Sequence, residues 1–349
     1  MFRVPLPVAL PYKEETDLKL LTAPPQNQSW SLPSPTQLTM SFNIDAYYER
    51  IGIDPTVDRP ADLQTLTLIM AAHSCSIPFE NIDCVLQKKI SMSNIAVEQK
   101  LVASNRGGYC FEQNTLLQLA LETLGYKVRP LLCRVRWGKT EAQMSTFTHV
   151  ALAVSFDEHT EYLADVGFAG TNSIAPISLS NSHEPQMLPE GKFRIVPTSS
   201  HGGGAYTALQ MYNRKEWKSL YIFRNEETAV RPDLECGNWL SCTHPGARFT
   251  NQFFCAIVVN SVKRHHILND DYVIRTLYPE DEDKPSTAVT TKIKDVHHLV
   301  QILAEVFHLD FSEGEEEKNE SESGSRITCS TSFELLGKYL TPSLPSKKQ

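Results

Sequence analysis

Two hydrophobic periods alternate along the chain, and the switch between them divides it. Ile44, Tyr47, Tyr48 and Ile51 fall on one helical face, and Gly52 supplies a stop. A second helix is predicted from Pro60, with Leu63, Leu66, Ile69 and Met70 on one stripe. A third runs from Cys110 through Leu116, Leu117, Ala120, Leu121 and Leu124 to Gly125 as its C-cap. Beyond Gly125 the period shortens to two. "YKVRPLLCRVRW", "THVALAVSF", "EYLADVGFA", "KFRIVPT", "AYTALQMY" and "EWKSLYIF" are short alternating runs separated by turn residues. They predict a curled antiparallel sheet or barrel. A loop-rich stretch is expected at "RPDLECGNWLSCTHPGARFTN", followed by strands at "FFCAIVVNSV" and "DDYVIRTLY" and a helix at "DVHHLVQILAEVFHL".

The class this predicts is α+β, in four stretches. Residues 1–41, rich in Pro, Ser, Thr and Gln, form a disordered or loosely attached extension. Residues 42–125 form a helical unit and 126–235 a β-barrel. Residues 236–349 form a linker and a mixed α/β unit, with a solvated acidic loop at 313–325.

At 349 residues the chain exceeds one ordinary core. A net charge of −8, with no basic stripe interleaved with aromatics, argues against nucleic acid. No run nears the ~18 apolar residues of a membrane span. Prolines at 5, 7 and 11 break the apolar N-terminus as a secretory signal, so an intracellular protein is expected. The eight cysteines include no CxxC pair, and Cys236, Cys242 and His244 have the wrong spacing for a zinc knuckle. Neither a disulfide framework nor a metal is expected.

One cysteine stands apart. In "NRGGYCFEQN", Cys110 follows two glycines and opens a helix, where unpaired N–H groups and the helix dipole favour a thiolate and could hold an oxyanion. A nucleophile needs a base and the base an orienting group. His149 starts the strand "THVALAV", opposite the face of Val150, Leu152, Val154 and Phe156 and beside small Ala151, Ala153 and Ser155. Asp165 sits among apolar residues of the next strand, a costly place unless paired, and His149 is the candidate partner. Side-chain parity demands an odd-length loop between these strands, most simply Asp157–His159 with Phe156 opposite Thr160, or a bulge. Glu80 and Arg106, charged within apolar, turn-rich segments, read as a buried ion pair holding the Cys110 loop. "HGGG" at 201–204 lacks an accompanying GxSxG and reads as a flexible loop.

"YYERIGI", "PFENID", "RGGYCFEQN", "THVALAV" and "YLADVGFAG" closely resemble, in order and spacing, the arylamine N-acetyltransferases over about residues 42–310. The resemblance implies a helical N-terminal bundle, a central antiparallel β-barrel and a C-terminal α/β lid, with a triad like that of the cysteine proteases. It implies a cytoplasmic enzyme that moves an acyl group from acyl-CoA to an arylamine, arylhydrazine or arylhydroxylamine. No permanently bound cofactor is implied, and a monomer or weak dimer is expected. Cys110 would be the acyl-thioester nucleophile, His149 the general base and acid, and Asp165 the orienter. Phe79, Thr148, Gly167 and Phe168 would bind substrate, although the two phenylalanines read equally well as plain core. Some members of the family prefer malonyl- or propionyl-CoA. Ala169 departs from the second glycine often found there, which leaves the acceptor range open. A thiol hydrolase or transglutaminase-like enzyme, or a non-catalytic binding protein on the same scaffold, are the competing readings.

Overall fold

The computed structural model describes residues 42–349 except 141–142, 144, 181–182, 200–203, 214, 282–283, 310, 312–335, 338 and 341–349. The 1–41 extension, the 313–325 acidic loop and residues 201–203 of the "HGGG" run lie outside the described residues.

Side-chain caps set the first two helices. Asn43 opens α1 (Ile44–Arg50) and Asp62 opens α2 (Leu63–Ser76), each by accepting an N–H of the first turn. So α2 begins later than the Pro60 start the pattern suggested, because the Asp62 cap satisfies an orphan donor that a proline upstream cannot. The chain continues through β1 (Phe79–Glu80), α3 (Ile82–Val85), α4 (Asn94–Glu98) with a π-helical turn over Gln99–Ala103, and α5 (Cys110–Thr123). Gly125 ends this lobe at φ +92°, a left-handed position suited to glycine. β1 is short but consequential, since Phe79 bridges to Gly108 and Glu80 N–H donates to Gly108 O at 3.0 Å. That fixes the turn immediately before Cys110.

The β-rich middle comprises β2 (Lys127–Val135), β3 (Phe147–Ser155), β4 (Tyr162–Ala164), β5 (Ile177–Ser178), β6 (Gln186–Leu188), β7 (Gly191–Ser199), β8 (Ala205–Asn213) and β9 (Glu216–Phe223). They form one antiparallel sheet in the order β5-β4-β3-β2-β9-β8-β7-β6. Ile177 from one end meets Phe193 and Ile195 from the other in a shared core, so the sheet curls into a nearly closed barrel. Strand parity does the rest. Leu152 and Val154 face outward onto the helical lobe, in a core shared with Tyr47, Leu66, Leu116 and Ala120. Ala151 and Ala153 face the barrel interior with Leu131, Leu163 and Leu220.

The β3–β4 ladder pairs Leu152 with Ala164 and Val154 with Tyr162, an even-sum register closed by an odd number of residues, as parity required. The tighter three-residue closure does not form. Pairing stops at Val154–Tyr162, and Phe156 leaves the ladder to stack on the Tyr162 ring at 5.8 Å. Asp157 shapes the turn instead, accepting the N–H groups of His159 and Thr160 at 2.8 and 2.7 Å. β4 also ends at Ala164, so Asp165 lies just past the strand.

The stretch expected to be loop-rich is helical: α6 (Arg231–Thr243) is followed by α7 (Arg248–Asn251). The buried face of α6 is Leu234, Gly237, Asn238, Ser241 and Cys242, spaced as a helix but made of small and polar residues, which hides the stripe from a hydrophobic reading. Gly237 explains the smallness. A Cβ there would lie 2.8 Å from the Phe111 ring. The final unit is a sheet of β1 with β10 (Phe254–Val258), β11 (Lys263–Leu268), β12 (Asp271–Thr276) and β13 (Thr287–Lys292), packed against α8 (Val296–Phe307). The pattern missed β11 because "KRHHIL" carries four cations or histidines, and β13 because every residue of it is exposed.

Candidate active site

Cys110 is the first residue of α5 and only 2% exposed. Its Sγ donates to the carbonyl of Thr148 at 3.7 Å, which ties the helix start to β3 one residue before His149. Burial pushes the thiol upward, and the nearby Asp165 carboxylate adds to this. The N–H groups of Phe111 and Val150 act the other way, toward the thiolate. Burial is the largest of these influences, so the net direction is upward, the reverse of the helix-start expectation.

Asp165 and His149 meet as the parity argument required. His149 Nε2 donates to Asp165 Oδ2 at 2.7 Å, which leaves Nδ1 as the ring nitrogen free of the carboxylate. Asp165 Oδ1 accepts from Asn114 Nδ2 and from Gly167 N–H, both at 2.9 Å. Burial alone would raise the Asp165 carboxyl, but the charge of His149 and these donors hold it below its ordinary value. The imidazole is bracketed by Phe168 at 5.1 Å and Tyr221 at 4.9 Å between ring centroids.

Asn114, one turn along α5 from the cysteine, is the joint between the two halves. It also donates to Val150 O at 2.7 Å and accepts from Val166 N–H at 3.1 Å. Gly167 closes the other side, since a Cβ there would lie 2.7 Å from Cα of Cys110. The family resemblance implies a substrate-binding Gly167; the structure places it against the nucleophile's backbone as well as on the cleft wall.

Glu80 and Arg106 form the expected pair at 2.7 Å, within a larger network. Arg106 also reaches Asp83 at 3.3 Å, and Lys100 bridges Asp83 at 2.5 Å and Glu112 at 2.8 Å. Glu112 in turn accepts the N–H of Tyr109 at 3.1 Å, the residue before Cys110. Asp83, Lys100, Glu112 and Asn114 were missed by sequence reasoning. The available signal was "EQN" after the cysteine, three polar residues in a row that the structure buries at 0–2% exposure.

Phe79, Cys110, Thr148, His149, Gly167 and Phe168 all line one cleft of about 1470 Å³. Phe79 packs on Phe249 and Phe254 at 5.7 Å, so it belongs to the core as well as the wall. Ala169 is not among the residues with positive φ; Gly170 takes that conformation at +80°, so the Ala169 methyl strains nothing. The seven described cysteines are all free, and among the described residues no cluster of three or more His, Cys, Asp or Glu could hold a metal ion.

A family model described as N-acetyltransferase matches residues 62–315. An arylamine N-acetyltransferase of Mycolicibacterium smegmatis is 39% identical over 233 residues, covering 64% of this chain and 79% of that protein. N-malonyltransferase FDB2 of Gibberella moniliformis is 26% identical over 294 residues, covering 76% of this chain and 83% of that protein. The solved structure of the Mycobacterium marinum arylamine N-acetyltransferase in complex with CoA superimposes with a TM-score of 0.70 at 26% identity, covering 85% of this chain and 99% of that one. Taken with the fold, these likenesses establish that the chain is an acetyltransferase belonging to the arylamine N-acetyltransferase family.

Proposed function

We propose that the protein moves an acetyl or related short acyl group from acyl-CoA to the nitrogen of an arylamine or arylhydrazine, in two half-reactions through a thioester on Cys110. The observation that carries this reading is the pairing of His149 Nε2 with Asp165 beside a cysteine whose thiol is bonded to the adjoining residue. That arrangement leaves Nδ1 to face the reacting groups. The buried thiol does not readily lose its proton to solvent, so it ionises by passing that proton to His149, and Asp165 balances the imidazolium. The thiolate attacks the thioester carbonyl, with the N–H groups of Phe111 and Val150 close to the developing charge. The carbon–sulfur bond to CoA breaks, and CoA leaves with the proton from His149. The amine then attacks the Cys110 thioester, His149 takes the amine proton, and amide release returns the cysteine.

Charge supports a CoA co-substrate. Lys139, Lys192, Lys215, Lys218, Arg275 and Lys284 all line the cleft, against the two acids Glu190 and Asp281, in a chain of net charge −8. A cationic cleft on an acidic protein suits a phosphate-bearing ligand. Phe79 and Phe168 give an aromatic acceptor two apolar walls. We place the reaction in the cytoplasm, where acyl-CoA is made and used; no described helix is long and apolar enough to cross a membrane.

The test is CoA release with acetyl-, propionyl- and malonyl-CoA against a panel of arylamines and arylhydrazines. Release that depends on the amine, with N-acylated product, supports the reading. Release by water alone points to the hydrolase reading, and no release with any pair points to the non-catalytic one. Malonyl-CoA is included because of the relative named N-malonyltransferase.

A further inference from the structure

The final sheet carries a buried charge that the scheme above leaves without a task. Arg264 on β11 is 2% exposed, yet among the described residues no carboxylate pairs with it. In the β11–β12 ladder it stands directly opposite Arg275, a like-charge pairing that costs stability. Glu190, in the turn before β7, offsets the charge without touching it. Burying a cation on these terms is unfavourable, and leucine or methionine would fill the place without that penalty.

What the arginine holds is the segment that carries Phe168. Its two terminal nitrogens donate to one residue, Nη1 to Asn172 Oδ1 at 3.2 Å and Nη2 to the Asn172 carbonyl at 3.1 Å. Asn172 Nδ2 donates in turn to Ser74 Oγ on α2 at 3.3 Å. Two residues on, the N–H of Ile174 donates to Glu190 Oε1. Upstream, the N–H of Thr171 closes a turn onto the Phe168 carbonyl at 3.2 Å, with Gly170 at φ +80° inside it. The stretch from Phe168 to Ile174 belongs to no strand or helix, and a cation on the final sheet and an acid on the barrel grip it together. Phe168 at its head stands 5.1 Å from the His149 ring and lines the cleft beside Gly170 and Thr171.

We propose that Arg264 is a positioning residue for the acceptor: by gripping Asn172 it holds the Phe168 wall against the imidazole and so sets which arylamines reach the Cys110 thioester. The inference rests on the two-step acyl-transfer reading. The donor acylates Cys110 before the amine enters, so the effect of the arginine falls on the second half-reaction. Lysine is no substitute, because an ammonium lacks the planar fork that spans both Asn172 oxygens.

Arg264→Lys keeps the charge and removes the fork. The readouts are the single-turnover rate of Cys110 acylation by acetyl-CoA, the kcat/KM for aniline and for 2-naphthylamine at saturating acetyl-CoA, and the melting temperature. A wall free to retreat admits the wider ring and orients the narrower one less well. Acylation should therefore stay within about threefold of the parent, while the two-ring over one-ring ratio of kcat/KM rises about tenfold, the scale on which a pocket wall discriminates. Asn172→Ala, which removes the other half of the grip, should move the ratio the same way, and the double variant no further than the larger single. If Arg264→Lys does not fold, Asn172→Ala decides. A purely structural arginine would lower the melting temperature and slow both amines by one factor. An unmoved ratio in folded protein, shifts that add in the double variant, or a loss of acylation as large as the loss of transfer overturns the proposal. If the parent releases no CoA with any amine, the acyl-transfer reading fails first; if the parent transfers and the ratio holds, only this inference fails.

Discussion

The nucleophile and the base are held by opposite kinds of chemistry. On the helical side, the turn before Cys110 is braced by two cations and three carboxylates: Lys100 and Arg106 with Glu80, Asp83 and Glu112. On the barrel side, His149 and Asp165 are held by an amide, one backbone N–H and two aromatic rings, and among the described residues the imidazole is the one cation paired to Asp165. The difference follows from where charge must move. An arginine against Asp165 would compete with the imidazolium for the carboxylate and weaken the base. The Cys110 turn needs only rigidity, and a network of buried ion pairs, joined to the backbone of Tyr109 through Glu112, supplies it. Asn114, neutral and shared by both halves, joins them without adding charge.

If that division is right, damage on the two sides should differ in kind. Asp165→Asn is the largest expected effect. The amide reverses the hydrogen-bond sense at Nε2 and favours the wrong tautomer, so transfer should drop roughly 10³–10⁴-fold, with the fold intact by circular dichroism. A variant within tenfold of the parent would break the barrel half of the comparison. Glu80→Gln should act oppositely. Stripping one charge from a buried pair costs about 3–5 kcal/mol of stability, seen as a lower urea midpoint. Protein that remains folded should keep most of its rate. Near-normal stability, or a catalytic loss larger than the stability loss, would contradict it.

Acid should separate the halves more gently. His73 on α2 is fully buried, accepts from Tyr47 OH at Nδ1 (2.9 Å) and faces Gln113 Oε1 through Nε2 (2.6 Å). Gln113 in turn holds the carbonyls of Pro78 and Gly108, so His73 supports the nucleophile's side. Burial lowers its pKa from 6.5 to about 4. The unfolded chain therefore takes up this proton first, so the contribution is full above about 6.5 and declines as pH falls toward 4. The total is about 3 kcal/mol at most. Asp165 behaves differently, since its depressed carboxyl gives stability that is lost only as pH falls through the folded value, below the ordinary carboxylate range. Urea midpoints taken from pH 7 to pH 4 should slope downward before acid reaches the Asp165 contribution; a flat profile would refute the assignment to His73.

The helical stripes, most barrel strands and the facing of His149 and Asp165 were legible because apolar periodicity carries them. What stayed hidden lies where the pattern is polar or small. α6 buries Gly237, Asn238 and Ser241, and the close approach of Phe111 requires that glycine. β13 buries nothing, so it has no hydrophobic signature. The site was half visible in the same way. Cys110, His149 and Asp165 announced themselves by residue type in an odd setting. Lys100 and Asp83 gave no sign, because a long-range ion network leaves no local spacing to read. The upward push of burial on the Cys110 thiol was not legible, because a helix start is visible in sequence and the depth of its burial is not.

The central claim is that Cys110 carries the acyl group between donor and acceptor. Mixing the protein with acetyl-labelled acetyl-CoA in the absence of amine, quenching in acid and mapping the label tests it directly. The account predicts one equivalent of CoA released, label on Cys110 as a thioester, and its discharge on adding an arylamine. Label absent from Cys110, or CoA released only once amine is present, would contradict it.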